Sequence, residues 1–329
     1  MLEVQAGDDQ GGGGGGGGTY EYFWSNIREW RPTKDNCVDL PGLYWVLVRE
    51  PGSECYAYGS VRVRIWDLND QSNNIWYFGD GAGLDFNPDP NNPNGPTPRA
   101  VSHNQNIPAG TTTISDETGQ VLFFTDGETV WDLNGNVMEN GDSIGGSNLS
   151  SQSVLAVPVP QDETIFYLFT TQTAADGSNQ VKFSVVDIKV ENPNGVGNVV
   201  SKDNFLFSPS TEHSAALAAG DTTWVLFHEL GNNTFRAYPV SIFGIGSPVF
   251  SSVGSNHGFN TGVGTMKFSP DGTKVAVTIQ DGACSRLEIF DFDPETGEMT
   301  EYALLDLGCN GEDIYGMEFS PDGSRAYVS

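Results

Sequence analysis

An all-β fold built from repeated strand–turn–strand units is predicted by three features of the sequence. A phrase centred on Phe268-Ser269-Pro270-Asp271-Gly272-Thr273 returns as Phe319-Ser320-Pro321-Asp322-Gly323-Ser324, flanked each time by alternating apolar and polar residues. Proline presets φ, aspartate bonds its own backbone, and glycine accepts a positive φ, so each copy reads strand, tight turn, strand. Looser copies begin at Ile114, Val157 and Ala215. The second strands of the five phrases start near Val121, Ile165, Thr223, Lys274 and Arg325, a spacing of roughly fifty residues that suits a four-stranded blade with its loops. A β-propeller is therefore expected.

Taken in order, residues 1–18 end in the unbroken glycine run Gly11–Gly18, a linker with nothing to bury. No Lys-Ser/Thr follows it and no strand precedes it, so it is not a phosphate loop. Residues 19–68 form a short β segment: strands over Gly42–Val48 and Tyr56–Trp66 flank a turn at Arg49–Glu54, with Val61, Val63 and Ile65 facing inward. Such a segment is too short for a full sandwich and fits part of an immunoglobulin-like module. Asn69–Asn74 is a polar hinge, and residues 72–329 form the propeller. Asn87–Pro98 is a Pro/Asn-rich surface loop beside Asp85 and Asp89, whose carboxylates lack the regular spacing of a calcium loop. Blades then follow at Val121–Asp132, Phe166–Ile188, Trp224–Tyr238 and Val275–Leu307, and a fifth reaches Ser329 inside its second strand. A ring of about seven blades would be truncated here by roughly two, leaving open edges.

There are four cysteines. Cys37 and Cys55 flank the first strand of the small module and are a candidate pair. Centring the last blade's hairpin at Thr296-Gly297 sets Cys284 opposite Cys309, within disulfide reach if the strands stay paired that far. The alternative is small core thiols in a reducing cell; two bridges would point to an extracellular or cell-surface location.

The chain carries 43 acidic and 15 basic residues, a formal net charge of −28. That balance argues against nucleic-acid and anionic-membrane partners. No apolar run is long enough to span a membrane, so no membrane insertion is expected. No cofactor is expected, with calcium the one alternative weighed. His228-Glu229 starts like a zinc-protease helix, but Asn232 stands where the second histidine belongs and the surroundings read as strand. His213, between Glu212 and Ser214, reads as a polar strand end, and His103 and His257 as loop residues without ligand-like partners. Gly254–Gly264 is a glycine-rich loop without βαβ context. Trp76, Trp131 and Trp224 suit either a blade core or stacking on sugars. No catalytic residue is assigned.

The segment Asn74–Pro88 resembles the start of a propeller domain in large surface proteins of Bacteroidetes. Ile114–Gly127, Val200–Asn204 and His228–Tyr238 are similar to later blades of that domain. Pro41–Val48 with Cys55 resembles the PKD- or immunoglobulin-like repeats that often precede it. The resemblance implies export through the type IX system, gliding-motility-associated membership and a non-enzymatic binding or adhesion role toward a surface protein or glycan. Phe319–Val328 also resembles YVTN and lactonase-like propellers, which implies lactone hydrolysis as the alternative.

Overall fold

A computed structural model describes residues 21–24, 28–32, 42–52, 57–63, 71–89, 98–173, 179–192, 195–258, 261–281, 284–308 and 314–329. The chain divides into two units, Met1–Leu68 and Asn69–Ser329.

In the first unit, β1 (Glu21–Trp24), β2 (Trp30–Arg31), β3 (Gly42–Arg49) and β4 (Ala57–Val63) form one antiparallel sheet in the order β2-β1-β3-β4. Two strands were expected and four are present among the described residues. Glu21-Tyr22-Phe23-Trp24 escapes a search for alternation because its apolar residues are consecutive. Buried Trp24 pairs with buried Val46, and Arg49 lies 3.9 Å above the Trp30 ring while bonding Glu21 at 3.1 Å. The expected inward positions Val61, Val63 and Ile65 fall outside the described side chains.

The second unit begins with the pair β5 (Ile75–Asp85) and β6 (Arg99–Ile107). A three-stranded sheet follows: β7 (Thr112–Ser115), β8 (Val121–Thr125) and β9 (Val130–Asp132). The next sheet holds β10 (Val154–Val159), β11 (Asp162–Thr171), β12 (Val181–Asn192) and β13 (Gly195–Phe207) in chain order. After it come β14 (Ser210–Ala219), β15 (Thr222–Glu229), β16 (Thr234–Ser241) and β17 (Gly244–Ile245), with β18 (Val249–Ser252) also paired to β16. Then come β19 (Met266–Phe268), β20 (Lys274–Asp281), β21 (Cys284–Phe292) and β22 (Met299–Asp306), and lastly the pair β23 (Met317–Phe319) and β24 (Ala326–Val328). Every pairing between these strands is antiparallel. Each sheet is a local meander, and successive sheets pack face to face as the blades of a β-propeller.

All five predicted phrases are hairpins: β7–β8, β10–β11, β14–β15, β19–β20 and β23–β24. The Ser-Pro-Asp-Gly turns share one bonding scheme. Asp271 accepts from the Ser269 hydroxyl (2.6 Å) and the Thr273 amide (3.0 Å), and Asp322 does the same with Ser320 (2.6 Å) and Ser324 (3.0 Å). Gly272 and Gly323 take φ of 72° and 68°, conformations that exclude most side chains. The donors hold the Asp322 carboxyl down at a pKa of about 2.

Separate apolar clusters fill the sheet interfaces, as each blade must bury both faces. Phe123, Phe166 and Leu168 pack between the first two multi-stranded sheets, and Phe169, Phe207, Phe227 and Tyr238 between the second and third. Trp224, Phe235, Phe290 and Phe292 lie between the third and fourth, and Leu287 and Phe319 between the fourth and the β23–β24 pair.

The hairpin β21–β22 corrects the predicted register. The turn is closed by the Asp293 amide on the Glu298 carbonyl (2.9 Å), so it is centred before Thr296 rather than after it. Asp291 opposes Thr300 and, past a bulge at Ile289/Phe290, Arg286 opposes Asp306. These pairings are two and one residues away from the expected ones: the turn centre sets the first offset, and the bulge, which a count from the turn does not see, reduces it to one. Cys284 is disulfide-bonded. Cys309, Cys37 and Cys55 lie outside the described residues.

Candidate functional site

The inner strands β10, β14 and β19 meet at Gln152, which immediately precedes β10. Its Oε1 accepts the Ser214 amide (3.1 Å) and the Met266 amide (2.9 Å). Its Nε2 donates to the carbonyls of the same two residues, at 2.9 and 3.3 Å. One side-chain amide thus satisfies four backbone groups on two neighbouring blades, standing in for a missing strand. Beside it the buried Glu212 carboxylate accepts the Ser151 amide (2.6 Å), and the Gly264 amide donates to Ser151 Oγ (3.2 Å). Thr265 Oγ1 donates to the Tyr315 carbonyl (3.0 Å), which carries this polar seam to the last described pair of strands. Burial, and next the Glu212 charge, raise the Tyr315 hydroxyl pKa.

Behind the seam, between the third and fourth sheets, lies a cluster of titratable groups. His213 on β14, His228 at the end of β15 and His257 in the segment after β18 are all fully buried. The His228 and His257 rings stack 3.8 Å apart at 19°, and His213 meets His257 edge-on at 5.5 Å. Glu288 on β21, also buried, sets Oε2 3.5 Å from His257 Nε2 and accepts the Ser255 amide at 3.0 Å on Oε1. His228 Nδ1 donates to the Glu229 carbonyl (2.6 Å). Both ring nitrogens of His213 and Nε2 of His228 lack a well-formed hydrogen bond.

Burial, and then the neighbouring His257, push the His213 pKa down to about 3, against a small opposing effect of the Thr278 backbone. Burial, then His257 and His213, hold His228 well below the usual histidine value. For Glu288, burial alone would raise the carboxyl, but the neighbouring His257 ring and the hydrogen bonds from Ser255 outweigh it and hold the pKa below the ordinary glutamate range. The stack turns ring planes rather than ring nitrogens toward each other. Among the described residues no group of three or more His, Cys, Asp or Glu is arranged to hold a metal ion.

This cluster fixes a pH dependence. The unfolded chain binds protons on His213 and His228 below about pH 6.5, whereas the folded chain leaves both rings neutral far into acid. Stability is therefore present above pH 6.5 and falls as the pH drops toward 3. The limiting slope for two protons is about 2.7 kcal/mol per pH unit. Glu288 adds to the loss in the same direction below the ordinary glutamate value. Thermal melts from pH 7.5 to 5 are expected to fall by about 5–10 °C over the last unit, and His213→Phe should halve that slope. A flat melting temperature over this range would contradict the assignment.

Other residues singled out in the sequence are placed elsewhere. His257 does lie outside the strands, but it has partners in His213, His228 and Glu288. His213 is no polar strand end: Ser210–Ala215 are buried on both faces, which the polar run Thr211-Glu212-His213-Ser214 conceals. His103 is in strand β6, not a loop, stacked on Tyr77 at 4.9 Å. Glu229 holds Arg236 (2.6 Å) and Asn232 (2.6 Å), apart from any zinc-like geometry. Asp85 and Asp89, the residues weighed for calcium, both meet Arg99, which supplies the positive charge between them. Trp131 and Trp224 are buried, whereas Trp76 is 53% exposed and borders a groove of about 310 Å³ with Asn73, Phe78, Thr111 and Thr113.

No family model and no curated protein matches this chain. Among solved structures it is similar to a candidate 6-phosphogluconolactonase from Bacteroides uniformis, at 11% identity over 87% of this chain and 84% of that one, TM-score 0.43. It is similar to the WD40 domain of coronin from Toxoplasma gondii, at 11% identity over 77% and 60% of the two chains, TM-score 0.37. The Dos1 propeller aligns at 8% identity over 87% and 86%, TM-score 0.37. At these values none of them transfers a function.

Proposed function

We propose that this chain is a non-enzymatic binding or adhesion module of a secreted or cell-surface protein, directed at a surface protein or a glycan. The supporting observation is the apolar surface of the third multi-stranded sheet. Ile242 and Phe243 form the tip of the β16–β17 hairpin, and Phe243 is 97% exposed. Phe250 on β18 is 56% exposed, with its ring 5.0 Å from the Arg236 guanidinium, which also meets the Phe207 ring at 4.4 Å. Aromatic rings and arginine held in place on a surface are the composition of interface centres, and rings also offer stacking faces to sugars. Placement in the type IX-exported, gliding-motility-associated proteins of Bacteroidetes rests on the resemblance of Asn74–Pro88.

The lactonase alternative requires a polar group within reach of substrate, and the three clustered imidazoles are fully covered. The test is a panel of glycans and extracellular matrix proteins probed with the intact chain. A hit should weaken tenfold or more in Phe243→Ala or Phe250→Ala, with the melting temperature within about 2 °C of the parent because both side chains are exposed. Absence of saturable binding across the panel would remove the reading. Saturable lactone turnover by the intact chain would replace it with the enzyme.

A further inference from the structure

We propose that the joint between the third and fourth multi-stranded sheets is an acid-operated latch: proton uptake on His213 and His228 drives the segment Val253–Gly258 out from between the sheets before the rest of the unit unfolds.

The latch is a piece of irregular chain wedged between two blades. Its inner end is His257, held by its amide on the Asn232 carbonyl (2.9 Å) and by its carbonyl under the Gly231 amide (2.6 Å). Its outer end is held by the Val253 amide on the Asn233 carbonyl (3.0 Å) and by Ser255 on Glu288. Gly254 presses so closely on β21 that a Cβ there would lie 2.6 Å from the Phe290 ring and 2.9 Å from the Glu288 carboxylate. The segment therefore covers the edge of the cluster containing Phe235 and Phe290, themselves edge-to-face at 5.0 Å.

Among the described residues, the charge pattern around it compensates a single proton. From β21, Glu288 faces His257, and Arg286 stands two residues earlier on the same strand. From β14 comes His213, from β15 His228, and from β20 the hydroxyl of Thr278 near the backbone of Gly264. The next carboxylates are occupied: Glu229 by Arg236 and Asn232, and Glu212 by the Ser151 amide. A proton on His257 has Glu288 opposite it. Among the described residues, a proton on His228, whose ring lies 3.8 Å from His257, or on His213 at 5.5 Å, has no free carboxylate opposite it. Release of the segment separates the rings and lets water reach their nitrogens. Burial already depresses the basicity of both rings, in keeping with this geometry.

Linkage sets the size of the effect. If two rings gain protons only in the released state, the opening constant rises about a hundredfold for each pH unit below 6.5. The experiment is amide hydrogen–deuterium exchange of the intact chain from pH 7.5 to 4.5, with rates corrected for intrinsic pH dependence. The peptide covering Val253–Gly258 and its partners Gly231–Asn233 is expected to lose protection at least tenfold more than β11–β12, which carry no histidine. His228→Phe preserves the ring stack without the proton site and should move the loss to lower pH. Glu288→Gln removes the one counter-charge and should move it to higher pH. Equal loss in β11–β12, protection constant down to pH 4.5, or an unmoved midpoint in His228→Phe would each overturn the proposal. Should that variant fail to fold, exchange at the imidazole C2 positions of the parent chain decides: His213 and His228 titrating near 6.5 with the segment still protected also overturns it.

Discussion

Replacing Gln152 by alanine is expected to destabilise the larger unit by about 2–5 kcal/mol, because the Ser214 and Met266 amides would be left unsatisfied along with their carbonyls. The side chain contributes little apolar surface, so this loss would come almost wholly from the four backbone groups it bonds. Gln152→Glu sharpens the test. The carboxylate still accepts from the two amides, but it sets an oxygen against two carbonyl oxygens, so the variant is expected to be no better than alanine. Gln120→Ala, at an exposed side chain, should stay within about 0.5 kcal/mol of the parent. Urea unfolding of the three variants measures this directly. A cost below about 0.5 kcal/mol for Gln152→Ala would mean that the two inner strands hold together without the clamp.

The other large effect is expected at Trp224. The indole is buried, lies edge-on to Phe292 at 6.3 Å and donates Nε1 to the Pro294 carbonyl at 2.9 Å, tying the third blade to the turn of β21–β22. Trp224→Ala should cost about 3–5 kcal/mol, and Trp224→Phe, which keeps a ring but loses the donor, about 1–3 kcal/mol. Gly297 lies against the same ring with φ of 76°, and a Cβ there would sit 2.6 Å from the indole. Gly297→Ala therefore carries both backbone strain and a clash, whereas in a Trp224→Ala background only the strain remains. The double-mutant cycle is expected to show about 1–2 kcal/mol of coupling. Strict additivity would mean that the indole and the turn do not touch in solution.

The parts legible in the sequence are those whose determinants are contiguous. Ser269 to Lys274 contains its own bonding scheme, so the turn and both its strands follow from six adjacent residues, and the same holds at Ser320 to Arg325. The register of β21–β22 was not legible, because the turn is centred one residue earlier than its sequence suggests and the bulge at Ile289/Phe290 then shifts the pairing again. The histidine cluster was less legible still. His213, His228, His257 and Glu288 come from four separate stretches, and none of them alone points to the other three. The one available signal was that His213 and His228 sit within strands otherwise committed to burial, β14 and β15. Gln152 stands in a serine-rich stretch that reads as an ordinary loop, and nothing local marks its partners 114 residues away at Met266.

That separation has a consequence for how the chain is made. Each meander can form as soon as its own strands leave the ribosome, since its partners are neighbours in sequence. Gln152 cannot complete its bonding until residue 266 has been synthesised, 114 residues later. At about 5–20 residues per second this is a delay of about 6–23 s. During that interval the second blade carries an unmatched amide at its inner edge. The same side chain that later locks three inner strands therefore marks the interval in which the nascent protein is most open to wrong partners.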